Sequence, residues 1–340
     1  MKIGLVGYQG SGKSSLFQWL TGVEPDPSQA HVGQSAMAPV PDPRIDALVE
    51  IYHPKKVVTA AIELFDTPGL SRDHEGNAAR LAKIREVGCL VLVVAAYAGA
   101  DPLAELASFE EDLLLADMEI VTGRVERLRQ SVKKPRPTRD QELAELAALE
   151  PLLEALESGQ ALRDIKLSKE QQKVVRAFQL FTRKPKLVVV NVADDEERPE
   201  RFTASLKARS LAVALGLELE LARLDQAERA EMLRDLGLQG TPPGKALGAM
   251  LQASGQMLFF TASEKEVRSW LLHLGATAVE AADSIHSDLA RGFIRAETMA
   301  AADLLRLGSE REVKAQHLMR QEPKDYVVQD GDILHIKFSV

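Results

Sequence analysis

The 340-residue chain has a single cysteine, Cys89, so no internal disulfide can form. Its place in the apolar run CLVLVVA points to core packing over nucleophilic chemistry. The seven histidines are scattered without paired spacing, which argues against a metal site built on imidazoles. No apolar stretch approaches the ~18 residues of a membrane span, and the N-terminus runs into a strand pattern without the marks of a signal peptide. A cytoplasmic protein with no membrane partner is expected. Positive charge is not in excess: 42 Lys and Arg against 50 Asp and Glu leave a net charge of −8. That balance excludes wholesale nucleic-acid coating, gives no expectation of sequence-specific DNA binding, and permits only a local basic patch. There is no internal repeat or low-complexity tract. What is present suffices for a sizeable core, since 45% of the residues are hydrophobic; at about 150 residues per domain the length allows two or three domains.

The rest of the chain is organised around residues 2–20, KIGLVGYQGSGKSSLFQWL. Ile3, Leu5 and Val6 read as a buried strand, and a helix-forming segment follows the glycine-rich turn. Gly7, Gly12, Lys13 and Ser14 fall on the spacing G-x-x-x-x-G-K-[ST], in which loop and helix N-terminal N–H groups cradle phosphate oxygens. Gly10, Ser11 and Ser15 belong to the same cradle. Lys13 is the candidate catalytic residue, reaching the β- and γ-phosphates, and Ser14 the candidate Mg²⁺ ligand. Glycines also suit any strand-turn-helix connection; the flanking strand and helix are what favour phosphate binding.

Two further motifs support that reading. The strand at residues 62–65 runs into Asp66-Thr67-Pro68-Gly69, a D-x-x-G in which Asp66 would hold Mg²⁺ through water and the Gly69 N–H would meet a γ-phosphate. Asp-Thr-Pro-Gly is also an ordinary turn, and its distance from the phosphate loop raises it to a site. After a strand at residues 186–190 comes Asn191-Val192-Ala193-Asp194, an N-x-x-D that in such a domain reads a purine base, with Asp194 accepting from ring and exocyclic N–H groups. An Asn/Asp turn is the plainer alternative.

Residues 21–44 read as a long loop over the phosphate site, 46–51 as a short helix and 57–58 as extended. Residues 78–87 read as a helix and 89–95 as a strand buried on both faces of a parallel sheet. Leu114, Met118, Val121, Val125, Leu128 and Val132 repeat at coiled-coil spacing, and Leu143, Leu146, Leu149, Leu153 and Leu156 return, with Pro151 expected to kink or restart the second helix. This predicts an antiparallel helical arm. Its turn carries Arg124, Arg127, Arg129, Lys133, Lys134, Arg136 and Arg139 against Glu126 alone, either a solvated helix end or a tip that touches RNA phosphates. Ser168 and Gln171 form a capping box for a helix to about residue 182. Residues 217–221 alternate like a final strand, 226–236 read as a helix, and a connecting helix follows residue 243. Beyond it lies a small α+β pattern: 258–260 apolar, 276–285 helical, 293–296 extended, and 326–338 a hairpin around Asp330-Gly331.

Together these pieces resemble the YchF type of Obg-related P-loop NTPases over nearly the whole chain. The resemblance rests on Pro41-Asp42-Pro43-Arg44-Ile45-Asp46, the arm, Asn191-Val192, and a C-terminal run that includes Phe260-Thr261-Ala262, Gly275-Ala276-Thr277-Ala278, Gly292-Phe293-Ile294-Arg295-Ala296 and Asp330-Gly331-Asp332. It implies an α/β P-loop G domain (residues 1–105 and 179–257), an inserted antiparallel coiled-coil arm (106–178) and a C-terminal β-grasp, TGS-like domain (258–340). It also implies Mg²⁺-dependent hydrolysis of GTP or ATP and association with the ribosome or RNA through the arm tip and the TGS-like domain, in translation or stress control. Family members carry a hydrophobic residue after D-x-x-G where Ras-like enzymes keep a water-positioning Gln; here it is Leu70, so slow turnover is implied. Three departures stand out. The family's first-loop Thr is replaced by Ala30, with Ser28 and Ser35 near it in sequence; its His-containing loop is shortened to the passage from Tyr97 to Asp101; and its usual N-x-x-E is N-x-x-D. The last leans the base preference slightly toward GTP. The expectation is a nucleotide-controlled switch; the rivals are a non-hydrolysing RNA- or ribosome-binding scaffold and a P-loop small-molecule kinase.

Overall fold

A computed structural model describes residues 1–339 other than Ser205 and Lys207. The chain divides into two units, residues 1–36 with 64–241 and residues 37–63 with 242–339. It leaves the first unit within one strand and returns within another. In order, β1 (Lys2–Val6), α1 (Lys13–Thr21) and β2 (Gln34–Pro39) lead to α2 (Pro43–Tyr52), β3 (Val57–Val58) and β4 (Ala61–Asp66). Then come α3 (Asn77–Arg85), β5 (Cys89–Ala96), α4 (Pro102–Ser131), α5 (Arg139–Glu157), α6 (Lys169–Phe178), β6 (Lys186–Val192) and β7 (Ser210–Val213), closed by α7 (Leu215–Leu221) and α8 (Gln226–Leu236).

The first sheet has the order β2-β4-β1-β5-β6-β7, with β1, β5, β6 and β7 parallel. Its central strand β5 is buried along nearly its whole length, as expected of a parallel strand covered on both faces. Cys89 lies fully buried there, and burial pushes its thiol up to about 12, so it packs and does not react. The sheet core joins Leu90, Leu92 and Val94 to Val188, Val190 and Val192, with Phe109 and Leu113 of α4 against them.

The helical arm begins at Asp101, whose side chain accepts from the N–H groups of Leu103 and Ala104 and so caps α4. Val121, Val125 and Leu128 meet Leu149, Leu152, Leu153 and Leu156 in a buried seam. Leu143, expected in that seam, is exposed, because it lies near the turn where the helices leave it to solvent. α5 runs through Pro151 without restarting, held by the seam residues on either side of the proline. At the arm's root the fully buried Asp117 accepts from the N–H groups of Phe181 (2.9 Å) and Thr182 (2.7 Å), the Thr182 hydroxyl (2.9 Å) and Arg85 (3.2 Å). Four donors satisfy a buried charge that would otherwise be costly.

Residues 217–221, expected to be a strand, are helical. The apolar positions Leu215, Leu217 and Leu221 are buried on α7, and the Asp194 carboxylate accepts from the Leu217 N–H. The strand that closes the sheet is the preceding β7. The capping box at Ser168 and Gln171 is present, but α6 ends at Phe178 and not near residue 182. Part of the expected long first loop is also strand, β2.

In the second unit α9 (Pro243–Ala253), β8 (Gln256–Ala262), β9 (Val267–His273), α10 (Ala278–Ile285) and α11 (Ser287–Arg291) precede β10 (Phe293–Ala300). They are followed by α12 (Ala301–Leu307), α13 (Glu310–Ala315), β11 (Arg320–Glu322) and β12 (Asp332–Phe338). The sheet order is β11-β10-β12-β8-β9-β3, and Ala278 and Ala281 of α10 share a core with Met257, Phe259, Ala296 and Leu334, a sheet grasping one helix. The expected C-terminal hairpin does not form. β12 pairs antiparallel with β10 and parallel with β8, while Val327 bridges only to Thr277. The Asp330-Gly331 turn has another role: Asp330 accepts from the Leu258 N–H and pairs with Arg44 of α2 at 2.7 Å. Gly331 has φ +87°, and a Cβ there would lie 2.7 Å from the same guanidinium. Arg44 also pairs with Asp42 at 2.7 Å, which explains the Pro-Asp-Pro-Arg string as a brace within this unit.

Candidate functional site

The loop between β1 and α1 needs its glycines for the left-handed backbone it adopts: Gly10 and Gly12 have φ of +78° and +105°. A Cβ on Gly12 would collide with the Asn191 amide, and one on Gly7 with the Val93 carbonyl. Asn191 uses both ends of its side chain on backbone, donating to the Ser11 carbonyl (3.2 Å) and accepting from the Leu215 N–H (3.2 Å). It thus knits the loop to α7. Lys13 is almost wholly buried and donates to the Tyr8 carbonyl at 2.7 Å; burial pulls its ammonium down to about 8, against the attraction of Asp66.

Two backbone hydrogen bonds pin the second loop to the first. The Leu70 N–H donates to the Gly7 carbonyl (3.1 Å), and the Gln9 N–H to the Leu70 carbonyl (3.0 Å). The Leu70 side chain is fully buried in the sheet core, so it cannot orient water above the cavity. These pins bring Gly69 so near Lys13 that a Cβ there would stand 2.7 Å from Nζ. Ser14 Oγ donates to Asp66 Oδ2 at 2.8 Å, while the buried Asp66 Oδ1 has no hydrogen-bond partner among the described residues. Burial raises the Asp66 carboxyl despite Ser14 and Lys13.

Gly10, Lys13, Ser14, Asp66 and Gly69 therefore line one cavity of about 310 Å³, with residues 25–34 as its outer wall. Gly33, at φ +87°, lets that wall pass Phe65 and the Asp66 carbonyl, where a Cβ would lie 2.5 and 2.9 Å away. Ala30 lines the cavity; Ser28 and Ser35 do not. Gly7, Ser11, Gly12 and Ser15 do not line it. Val192 and Asp194 line a separate hollow of about 350 Å³ with Glu196, Glu200 and Glu218, and Asn191 lines neither.

Several contributors were not visible in the sequence. The Tyr97 hydroxyl, just beyond β5 in the shortened passage to Asp101, donates to the Gly10 carbonyl. Arg80 of α3 lines the cavity. Beyond Leu70, Arg72 pairs with Glu105 (2.9 Å) and His74 with Asp112 (3.4 Å), while the Tyr8 hydroxyl donates to Asp112 (2.8 Å). Both acids belong to α4. The only sequence signal for these was position, since groups beyond the carboxyl ends of parallel strands commonly meet ligand.

At the arm tip Arg124 pairs with Glu145 (2.6 Å) and Arg129 with Glu150 (2.8 Å), which neutralises the arginines nearest the seam. Lys133, Lys134 and Arg136 are exposed and pair with no acid among the described residues. No described group of three or more His, Cys, Asp or Glu could hold a metal by protein ligands alone, and no described helix is long and apolar enough to cross a membrane.

Residues 2–123 match the family described as 50S ribosome-binding GTPase, and residues 257–339 match the YchF GTPase C-terminal family, described as a protein of unknown function. The chain is 34% identical to the ribosome-binding ATPase YchF of Haemophilus influenzae, over 100% of this chain and 99% of that one. It is 34% identical to its Bacillus subtilis counterpart, over 99% of each, and 33% identical to Obg-like ATPase 1 of Oryza sativa, over 100% of this chain and 92% of the relative. The solved structure of the Schizosaccharomyces pombe YchF GTPase superposes with a TM-score of 0.84 at 26% identity, covering 99% of this chain and 97% of that one. With full-length identity of this order, a matching G-domain profile and the same fold, the chain belongs to the YchF family of P-loop nucleoside triphosphatases.

Proposed function

We propose that this protein is a Mg²⁺-dependent GTPase or ATPase of slow turnover that works as a nucleotide-controlled switch on the ribosome, in the cytoplasm. The observation that carries the reading is the convergence of Lys13, Ser14, Asp66 and Gly69 on one cavity. Buried Lys13 meets triphosphate oxygens, and the loop N–H groups surround them. Ser14 and Asp66 would hold Mg²⁺: one hydroxyl, one carboxylate and the nucleotide's own oxygens suit an ion that keeps several waters, and the unpartnered Asp66 Oδ1 fits such a contact. Bound Mg²⁺ would neutralise charge on the transferring phosphoryl group.

In hydrolysis the oxygen of water bonds to the γ-phosphorus as the bond to the β–γ bridging oxygen breaks; that oxygen keeps the electron pair, and the water proton ends on the released phosphate. Burial of Leu70 supports slow chemistry, since no side chain there can position the water. The switch reading draws on Arg72, His74 and Tyr8, which tie the γ-phosphate loop and the phosphate loop to Glu105 and Asp112 of α4. Ordering residues 69–76 by a γ-phosphate would alter those ties. In this reading residues 1–105 and 179–257 form the G domain, 106–178 the arm, and 258–340 a TGS-like domain, with residues 37–63 and 242–257 of the first packed in the second unit. Ribosome association follows the relatives' names and the exposed Lys133, Lys134 and Arg136.

Asn191, Val192 and Asp194 remain the proposed base site, with GTP slightly favoured. Calorimetric titration with GTP, ATP and their non-hydrolysable analogues, with Mg²⁺, tests the whole reading. Micromolar or tighter binding of one nucleotide is expected, selectively weakened for GTP by Asp194→Ala. Equal loss for both nucleotides would return Asp194 to its structural bond with Leu217. The absence of Thr at Ala30 favours one second reading, a non-hydrolysing scaffold, which predicts ribosome binding indifferent to nucleotide.

A further inference from the structure

We infer that Arg80 is a catalytic residue, a cation supplied by the chain itself to the γ-phosphoryl group during its transfer to water. The inference rests on the triphosphatase reading and names a new participant in it. Arg80 lines the cavity of Lys13, Ser14, Asp66 and Gly69, yet comes from a different element, the first turn of α3. Side chains on a helix lean toward its N-terminus. Arg80 accordingly folds back over Gly76, where a Cβ would lie 3.9 Å from its Cζ and NH2. Its NH1 donates to the Glu75 carbonyl (3.0 Å) and to Asn77 Oδ1 (3.2 Å). Asn77 is itself buried and exchanges two hydrogen bonds with the backbone of Ser71 (2.8 and 2.9 Å). The guanidinium is therefore held by the loop that carries Gly69.

Its charge is also uncommitted. Arg72, on the same loop, is neutralised by Glu105, whereas Arg80 pairs with no carboxylate among the described residues, and its Nε and NH2 donate to none of them. An arginine half-buried at a phosphate cavity with two donors to spare fits the equatorial oxygens of a transferring phosphoryl group. This chain has need of such a group: Leu70 is buried in the core, Ala30 brings no hydroxyl, and Tyr97 is occupied with the Gly10 carbonyl. The charge that grows on the phosphoryl oxygens in a loose transition state is what a nearby guanidinium stabilises. Arg80 exchanges no proton in the step; it donates hydrogen bonds from Nε and NH2.

The test compares wild type, Arg80→Ala and Arg80→Lys in three measurements with Mg²⁺ present: single-turnover hydrolysis of whichever triphosphate wild type binds, calorimetric affinity for its non-hydrolysable analogue, and binding of the matching diphosphate with aluminium fluoride. Arg80→Ala should lower turnover about 10²- to 10³-fold, leave analogue affinity within about threefold, and lose the fluoride complex; Arg80→Lys should restore part of both. Turnover within about threefold of wild type, with analogue binding intact, would overturn the inference. So would a parallel loss of affinity and turnover in both variants, which would mark Arg80 as a ground-state phosphate anchor. If wild type binds no nucleotide, the triphosphatase reading falls too, and the titration alone reveals that.

Discussion

On one side of the phosphate cavity, Lys13 is 6% exposed and bonded to the Tyr8 carbonyl, Ser14 is bonded to Asp66, and Asn191 ties Ser11 to Leu215. On the other side, residues 25–34 are mostly exposed, hold one short 3₁₀ turn capped by Asp26, and present Ala30 where a hydroxyl could have closed over a metal. The inner wall is tied to the surrounding strands and helices; the outer wall is held mainly by bonds within itself, such as the Gly33 N–H to the Gln29 carbonyl and the Asp26 N–H to the Gln34 side chain. The proposed binding groups thus share one wall with Leu70, and of the positions proposed to bear on turnover only Ala30 lies on the other.

The largest expected effect breaks the inner wall. Lys13→Ala should weaken triphosphate binding at least about 10²-fold, because a buried charge-assisted hydrogen bond to phosphate is removed. Undiminished calorimetric binding would show that the triphosphate does not sit in this cavity. The second uses pH. Burial lowers Lys13 from its ordinary 10.5 to about 8, and bound phosphate restores the charge, so binding takes up a proton above that value. Affinity should then fall by up to about tenfold per pH unit between about pH 8 and 10. Folding stability should move oppositely, rising with pH in that window, because the unfolded chain keeps a proton that the native site sheds. A flat affinity profile would show that Lys13 keeps its proton in the empty site. The third repairs the outer wall. Ala30→Thr should raise turnover by roughly three- to tenfold at unchanged affinity, by returning an oxygen ligand to the metal side. Turnover unchanged or lower would mean that closure of this wall does not limit the reaction. The smallest sharpens the arm: neutralising Lys133, Lys134 and Arg136 together should flatten the log–log salt dependence of RNA or ribosome binding by about 0.7 for each phosphate that is no longer neutralised.

The parts of the site legible in the sequence were those fixed by local backbone demands. Gly10 and Gly12 occupy left-handed conformations that few other residues adopt, and Lys13 and Ser14 follow them at fixed spacing, so the loop declares itself. Asp66 and Gly69 were legible from their spacing after a strand, although what demands a glycine at 69 is the close approach of Lys13 and Gln9. Arg80, Tyr97 and the Tyr8–Asp112 bond were not, because each arrives through tertiary approach from an element whose own sequence carries no signature. The fold divides in the same way. β5 was plain from its continuous apolar run and the arm seam from periodicity, whereas residues 217–221 alternate like a strand and fold as α7 because Leu215, Leu217 and Leu221 bury one side of a helix. At the C-terminus the Asp-Gly turn was read correctly as a turn, but nothing local could say that β12 pairs with β10 and β8.

The ties from Arg72, His74 and Tyr8 all end on Glu105 and Asp112, within the first three turns of α4. At 1.5 Å per residue about 21 Å of this 30-residue helix lies beyond Asp117, its buried root, so a tilt of about 5° there sweeps the far end through about 2 Å. Lys133 and Lys134 ride at that end. The helix is in this sense a lever pivoting at Asp117, with Glu105 and Asp112 on its inner arm, so a displacement of those two carboxylates reaches the tip undiminished.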